Sequence, residues 1–275
     1  MKINKLPHLV VGYCLMALPV GCKTDEAGPA YDVSLQETSL GKVLTNDAGK
    51  TLYVFTKDVN GTSACTGGCK DTWPVFFKET LKLDPSLNAA DFGTITRDDG
   101  AKQTTFQGWP LYAYKSDAAA GDVKGENVGG VWIAAKTAYT IMLANTQLKG
   151  HDGKLYTSEY KEGTADTQYF TDAQGRTLYG FINDKKGKNN FTKADFSNNA
   201  VWPIFEAEIK DLPSTLDKSL FTTIKVGDRT QLVYKGWPLY YFGQDGGVRG
   251  VTKGVSFPRP GVWPIVQKTT ATAPD

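Results

Sequence analysis

The sequence predicts an all-β protein made of four tandem β-meander units. Three observations carry that expectation. One short motif, Tyr-x-aromatic-x-x-Asp, occurs four times: "LYVFTKD" at Leu52–Asp58, "LYAYKSD" at Leu111–Asp117, "LYGFIND" at Leu178–Asp184 and "LYYFGQD" at Leu239–Asp245. Tyr, Phe, Thr and Val are abundant and are interrupted by 29 Gly, the composition of strands joined by tight turns. No long stretch places apolar residues at the 3.6-residue spacing of an amphipathic helix.

The motif strand is apolar at every position. Side chains alternate along a strand, so Leu52 and Val54 face one way and Tyr53 and Phe55 the other. A strand dry on both faces lies between two layers. Longer matches set the repeat length. "DAGKTLYVF" at Asp47–Phe55 answers "AQGRTLYGF" at Ala173–Phe181, and "GWPLYAY" at Gly108–Tyr114 answers "GWPLYYF" at Gly236–Phe242. The six Trp keep one order in each half: Trp73, Trp109, Trp132, then Trp202, Trp237, Trp263. Tyr53 and Tyr112 are 59 residues apart and Tyr179 and Tyr240 are 61 apart, a period in the range of propeller blades.

Within the second unit, strands are expected at Gly93–Arg97, Lys102–Gln107, Pro110–Lys115 and Gly130–Ala135, with Asp98-Asp99-Gly100 as a hairpin turn. In the fourth unit the matching runs are Phe221–Val226, Gln231–Lys235, Pro238–Phe242 and Val262–Val266. "GHDGKLYTSEY" at Gly150–Tyr160 reads as an added hairpin entering the second half. Four four-stranded units, each covering the next, give a small four-bladed propeller. The alternative is two β-sandwich or barrel modules, one per half.

The expected organisation is a leader at 1–21, a tether at 22–35, a first pair of units at 36–144, a second pair at 145–268 and a tail at 269–275. Lys2 and Lys5 precede an apolar run from Leu9 to Val20, shorter than the ~20 residues a spanning helix needs, which favours a secretory signal. The run ends in Val20-Gly21-Cys22, which resembles the lipobox of bacterial lipoproteins, with Pro19 where that pattern usually has Leu. Cys22 is therefore the expected lipid-attachment residue. Lys23-Thr24-Asp25-Glu26 resembles the Lys-plus-acidic export signal of Bacteroidetes lipoproteins, which in that group implies display outside the outer membrane. The expected address is the bacterial cell envelope, lipid-anchored to the outer membrane.

The fourfold motif, the Cys-x3-Cys before Trp-Pro and the lipoprotein leader together resemble the bacterial secreted repeat of unknown function, also described as predicted lipoproteins with a Yx(F/W/Y)xxD motif. The likeness runs from about Leu40 to Val266. The resemblance implies an extracytoplasmic repeat lipoprotein and implies no reaction. The second half departs from it by lacking the Cys pair, with "NNFTKADFSNNAVWP" in that region.

Asp58, Asp117, Asp184 and Asp245 close the motifs. As strand-end carboxylates they accept backbone N–H bonds and fix a turn. The sharper reading is a ring of cation ligands, but calcium needs six to eight oxygens together, and beyond "DVNG" at Asp58–Gly61 the spacing of a calcium loop is missing. A residue present in every repeat is more readily part of the fold than part of a site. Cys65 and Cys69 flank Thr66-Gly67-Gly68, and an exported chain is expected to join them as a disulfide. A redox or metal role is the alternative. His151 stands alone in the mature chain beside Asp152-Gly153, as a turn residue. The sequence contains no nucleophile elbow, P-loop or dinucleotide fingerprint. With a net charge of +2 and no long run of one sign, no nucleic-acid partner is indicated. These features predict a non-enzymatic, lipid-anchored binding or scaffolding protein without a cofactor. Its partners are the membrane, through the anchor, and an envelope or extracellular ligand that the sequence does not specify. The alternatives are a carboxylate-based enzyme acting on surface glycans and a redox module built on Cys65 and Cys69.

Overall fold

The computed structural model describes residues 1–2 and 31–275. Most of the leader, Cys22 and the tether as far as residue 30 lie outside the described residues. The segment from Tyr31 to Asp275 is all-β, in small antiparallel sheets of two or three strands with only single-turn helices between them. No helix among the described residues is long and apolar enough to cross a membrane.

The first half opens with a hairpin of β1 (Val33–Thr38) and β2 (Gly41–Asn46). Residues 33–35, assigned to the tether from sequence, are the start of β1. Val33 is fully buried, which a solvated linker would not achieve. The motif strand β3 (Leu52–Phe55) follows, and all four of its residues are buried. A meander of β4 (Phe92–Thr96), β5 (Lys102–Phe106) and β6 (Trp109–Pro110) comes next. The turn between β5 and β6 is Gln107-Gly108, with φ of 47° and 78°. Positive φ at both central residues is what a two-residue type I′ hairpin requires, and Gly takes it without steric cost. The half closes with β7 (Tyr112–Ala113) and β8 (Trp132–Ala134).

In the second half β9 (Ile141–Lys149) runs between β10 (Leu155–Tyr156) and β11 (Asp166–Asp172), so the hairpin expected around His151 is present as β9–β10. Then β12 (Phe221–Val226), β13 (Arg229–Tyr234) and β14 (Trp237–Pro238) repeat the earlier meander, with Lys235-Gly236 as its positive-φ turn. The expected strands Pro238–Phe242 and Val262–Val266 are reduced to β14 and to single bridges at Tyr240 and Ile265.

Four-stranded blades, one per unit, are not what the strands form. Tyr53 of β3 pairs with Tyr112 of β7 on one side and Ala134 of β8 on the other. Tyr112 in turn bridges Val75 of the Trp73-Pro74 segment. The lateral order is therefore Val75, Tyr112, Tyr53, Ala134, and the contributing unit alternates first, second, first, second. The second half keeps the order through single bridges, with Ile204, Tyr240, Tyr179 and Ile265 in those places. Two units interlock to make one central sheet, because a motif strand buried on both faces needs backbone hydrogen-bond partners on both edges. Along β3 the faces separate as alternation demands. Leu52 and Val54 join the larger core with Leu111, Ile133, Leu143 and Phe170, while Tyr53 and Phe55 join a second cluster with Trp73, Tyr112 and Trp132.

The residues expected as a free tail are docked. Trp237 donates from Nε1 to the Ala271 carbonyl at 2.8 Å, Ala273 N–H donates to the Lys235 carbonyl at 2.9 Å, and Ala273 is buried.

Candidate functional site

The four motif aspartates are buried, and each holds two donors. One is the tyrosine of the other motif in the same half. Tyr53 Oη donates to Asp117 Oδ2 at 2.6 Å and Tyr112 Oη to Asp58 Oδ2 at 2.5 Å. Tyr179 Oη donates to Asp245 Oδ2 at 2.7 Å and Tyr240 Oη to Asp184 Oδ2 at 2.7 Å. The second donor is a backbone N–H a few residues downstream, from Ala64, Lys124, Asn190 and Lys253 to the Oδ1 of Asp58, Asp117, Asp184 and Asp245, at 2.7, 2.9, 2.7 and 2.9 Å. Each carboxylate thus fixes its own turn and anchors the opposite strand. Loss of solvent pushes Asp58 and Asp245 up to about 7 and Asp184 up to about 6, against the opposing pull of the tyrosine and backbone hydrogen bonds. Asp117 is raised for the same reason. The N–H groups of Gly125 and Gly254 donate to the hydroxyls of Tyr53 and Tyr179 at 3.2 and 3.3 Å. A Cβ at either glycine would meet the tyrosine ring at 2.7 Å, so only Gly allows that approach.

The aromatic position of each motif has its own task. Trp73 and Trp132 stack at 3.7 Å, with Phe55 on the outer face of Trp132 at 4.2 Å and Tyr114 on that of Trp73 at 4.3 Å. The second half repeats the ladder as Phe181, Trp263, Trp202 and Phe242. Pairs of this kind contribute ~0.5–1.5 kcal/mol each beyond the area they bury.

Cys65 and Cys69 are at disulfide-bonding distance, with Cα atoms 5.4 Å apart. The Cys65 carbonyl accepts from Arg97 Nη2 at 2.7 Å. Arg97 is itself buried. It also donates to Ser63 Oγ, and Ser63 in turn lies 2.6 Å from the Tyr112 hydroxyl. The first-half Asp58 pair is thereby tied to the cysteine loop. In the second half Asn189 stands in this place and donates to Gln231 Oε1 at 2.8 Å, where Arg97 donates to Gln103 Oε1. His151 lies in the β9–β10 turn, its ring 5.5 Å from that of Phe257. Among the described residues no three His, Cys, Asp or Glu side chains gather as metal ligands would.

A family model described as the secreted repeat of unknown function matches residues 34–76 and 93–136. These two segments of the first half are similar to that secreted repeat. The first match ends at the Trp73–Phe76 segment and the second just after β8, so the two copies supply alternate members of the central sheet. The family description places such repeats outside the cytoplasm and assigns them no activity. No curated protein and no solved structure matches the chain.

One groove among the described residues carries a polar cluster found in the second half alone. This groove, of about 690 Å³, is lined by Tyr139, Asp172, Arg176, Phe205, Glu208 and Tyr241, among others. Asp172 Oδ2 accepts from Arg176 Nε at 2.6 Å and from Tyr241 Oη at 2.8 Å, and the Arg176 guanidinium lies 4.5 Å over the Tyr241 ring. At the matching positions the first half has Asn46, Lys50 and Ala113, which make no such cluster. Sequence reasoning missed these residues. Their signal is a difference between aligned repeats, not a likeness. Sequence reasoning also missed Arg249, which reaches from the second half into the first. Its Nε donates to the Val59 carbonyl at 2.5 Å and its Nη1 to the Gln107 carbonyl at 3.0 Å, and its guanidinium sits 4.9 Å over Trp109. Loss of solvent pushes this group down to about 10.

Proposed function

We propose that the chain is a lipid-anchored extracytoplasmic protein with a non-enzymatic binding or scaffolding role, held at the bacterial outer membrane through Cys22. The anchor is supported by the short apolar leader ending at Gly21-Cys22 and by the family's secreted character. One observation carries the non-enzymatic part: both oxygens of every recurring aspartate are taken up by hydrogen bonds within the fold. What the motif repeats is a way of building a rigid body. The groove beside Arg176 and Tyr241 is the place where such a body would hold a ligand, since it is concave and its Asp172–Arg176–Tyr241 cluster has no counterpart in the first half.

The anchor and the binding role separate experimentally. Cys22→Ser should move the protein from the detergent phase to the aqueous phase, and unchanged partitioning with unchanged processing contradicts lipidation. The purified Cys22→Ser protein should then bind isolated cell envelopes saturably. Glu208→Arg, a charge reversal on the exposed wall of the groove, should lower that binding while leaving the melting transition in place. Binding that never saturates contradicts a specific role.

A further inference from the structure

The Gln107-Gly108-Trp109 and Lys235-Gly236-Trp237 turns are equivalent, and each is covered by an incoming segment whose main-chain carbonyl accepts from the indole N–H. At the junction between the halves, Trp109 Nε1 donates to the Ala173 carbonyl at 2.8 Å, and the carbonyl of Gln107 accepts from Arg249. At the end of the chain, Trp237 Nε1 donates to the Ala271 carbonyl at 2.8 Å, and the carbonyl of Lys235 accepts from Ala273 N–H. The indole N–H is used alike in both, while the turn carbonyl is capped by the Arg249 side chain at the junction and by the Ala273 main-chain amide on the segment 268–274.

The second of these contacts has the features of a peptide site. Its bonds go to main-chain atoms. Lys186 N–H donates to the Pro274 carbonyl at 2.8 Å, and Lys235 Nζ donates to the carbonyls of Lys268 and Thr270 at 2.9 Å each. The seat is close-fitting: Ala273 is buried, and a Cβ on Gly236 would come within 3.1 Å of the Ala273 Cβ, so the approach needs glycine in the turn. The two contacts differ in how firmly they are closed. Arg249 seals the junction over a Trp109 that is 2% exposed. No comparable side chain covers Trp237, which stays partly exposed. The tail is held by main-chain bonds and by a loose, exposed Lys186–Asp275 pair at 3.7 Å.

We infer that the Lys235–Trp237 turn is a docking surface for an extended, small-residue peptide segment, filled here by the chain's own residues 268–274 and able to take the same segment from a second copy in exchange. The occupant follows from continuity with the junction: the surface is built to receive more of this chain, and the segment seated on it already belongs to this chain. Recognition through main-chain groups and one Ala-sized seat resembles strand addition at a sheet edge, in which affinity comes from the backbone and selectivity from a small pocket.

The test uses a fluorescein-labelled peptide of sequence KTTATAPD, residues 268–275, in a polarisation titration. Ala273→Leu in the full chain is designed to displace the resident tail, because Ala273 is buried and a larger side chain there overpacks its seat. The peptide should bind this variant saturably. It should bind the unsubstituted chain about tenfold more weakly or less, since the tail occupies the site most of the time. Adding Trp237→Phe to the variant should weaken binding about fivefold, the equilibrium counterpart of one lost hydrogen bond. No binding to the Ala273→Leu chain, or equal binding to both chains, overturns the inference. Hydrogen exchange on the unsubstituted chain provides a second reading that needs no variant to fold. The Ala273 amide should be protected, and exchange at the rate of a free peptide overturns the inference as well.

Discussion

Asp58 sits fully buried between the Tyr112 hydroxyl and the Ala64 amide, with its pKa pushed up to about 7 by loss of water. An aspartate in the unfolded chain ionises near 3.8, so between those values the folded state binds the proton more tightly. The stability this contributes is complete below about pH 4 and is lost as the pH rises through about 7. Asp245 behaves in the same way, and Asp184 does so with its upper limit near 6. Exposed carboxylates such as Asp99 are lowered by their partners and slope the other way at acid pH, so the informative quantity is a difference between variants. Asp58→Asn can present Oδ1 to the Ala64 N–H and Nδ2–H to Tyr112, as a protonated aspartate would. Denaturation midpoints from pH 4 to 8 should show the wild type losing stability relative to Asp58→Asn as the pH rises. A wild type that gains on the variant over that range contradicts the burial argument. The turn-capping half of each aspartate's task was legible in the sequence, because Asp at a strand end is a local signal. The other half was not. Nothing within the motif says whether Tyr53 bonds its own Asp58 or the Asp117 that lies 64 residues away.

At the scale of elements, the central sheet of each half is built from segments that alternate between two units, and its outer face is closed by a four-ring ladder. Trp132 stands at the middle of that ladder, between Phe55 and Trp73, and is 4% exposed. Trp132→Ala should cost about 3–5 kcal/mol in chemical denaturation, and Trp132→Phe clearly less because a ring remains to stack. A cost below about 1 kcal/mol for the alanine variant would remove the ladder from the account. The β4–β5 and β12–β13 hairpins could be read from sequence because alternation and turn residues coincide there. The pairing of β9 with β11 could not. Asp166–Asp172 reads "DTQYFTD", polar enough to pass for loop, and it becomes a strand because Tyr169 and Phe170 are buried against the shared core. Each four-stranded blade was expected from strands close in sequence, whereas the partner chosen was the matching strand of the next unit.

For the whole molecule, the unit of construction is a pair of repeats. One pair carries the Cys65–Cys69 link and the buried Arg97, and the other carries Asn189 in that region and the Asp172–Arg176–Tyr241 groove. The shared frame is the crossed Tyr–Asp bond, present twice in each half and independent of those differences. The groove was illegible because its walls come from segments far apart in sequence, and a cavity has no periodicity. The frame itself is tested most directly by double-mutant cycles on Tyr53. Tyr53→Phe combined with Asp117→Ala should show a coupling of about 1–3 kcal/mol, because these residues share a buried hydrogen bond. Tyr53→Phe combined with Asp58→Ala, within one motif, should be additive to within about 0.5 kcal/mol. Coupling inside the motif and additivity across the two motifs would contradict the interlocked pair.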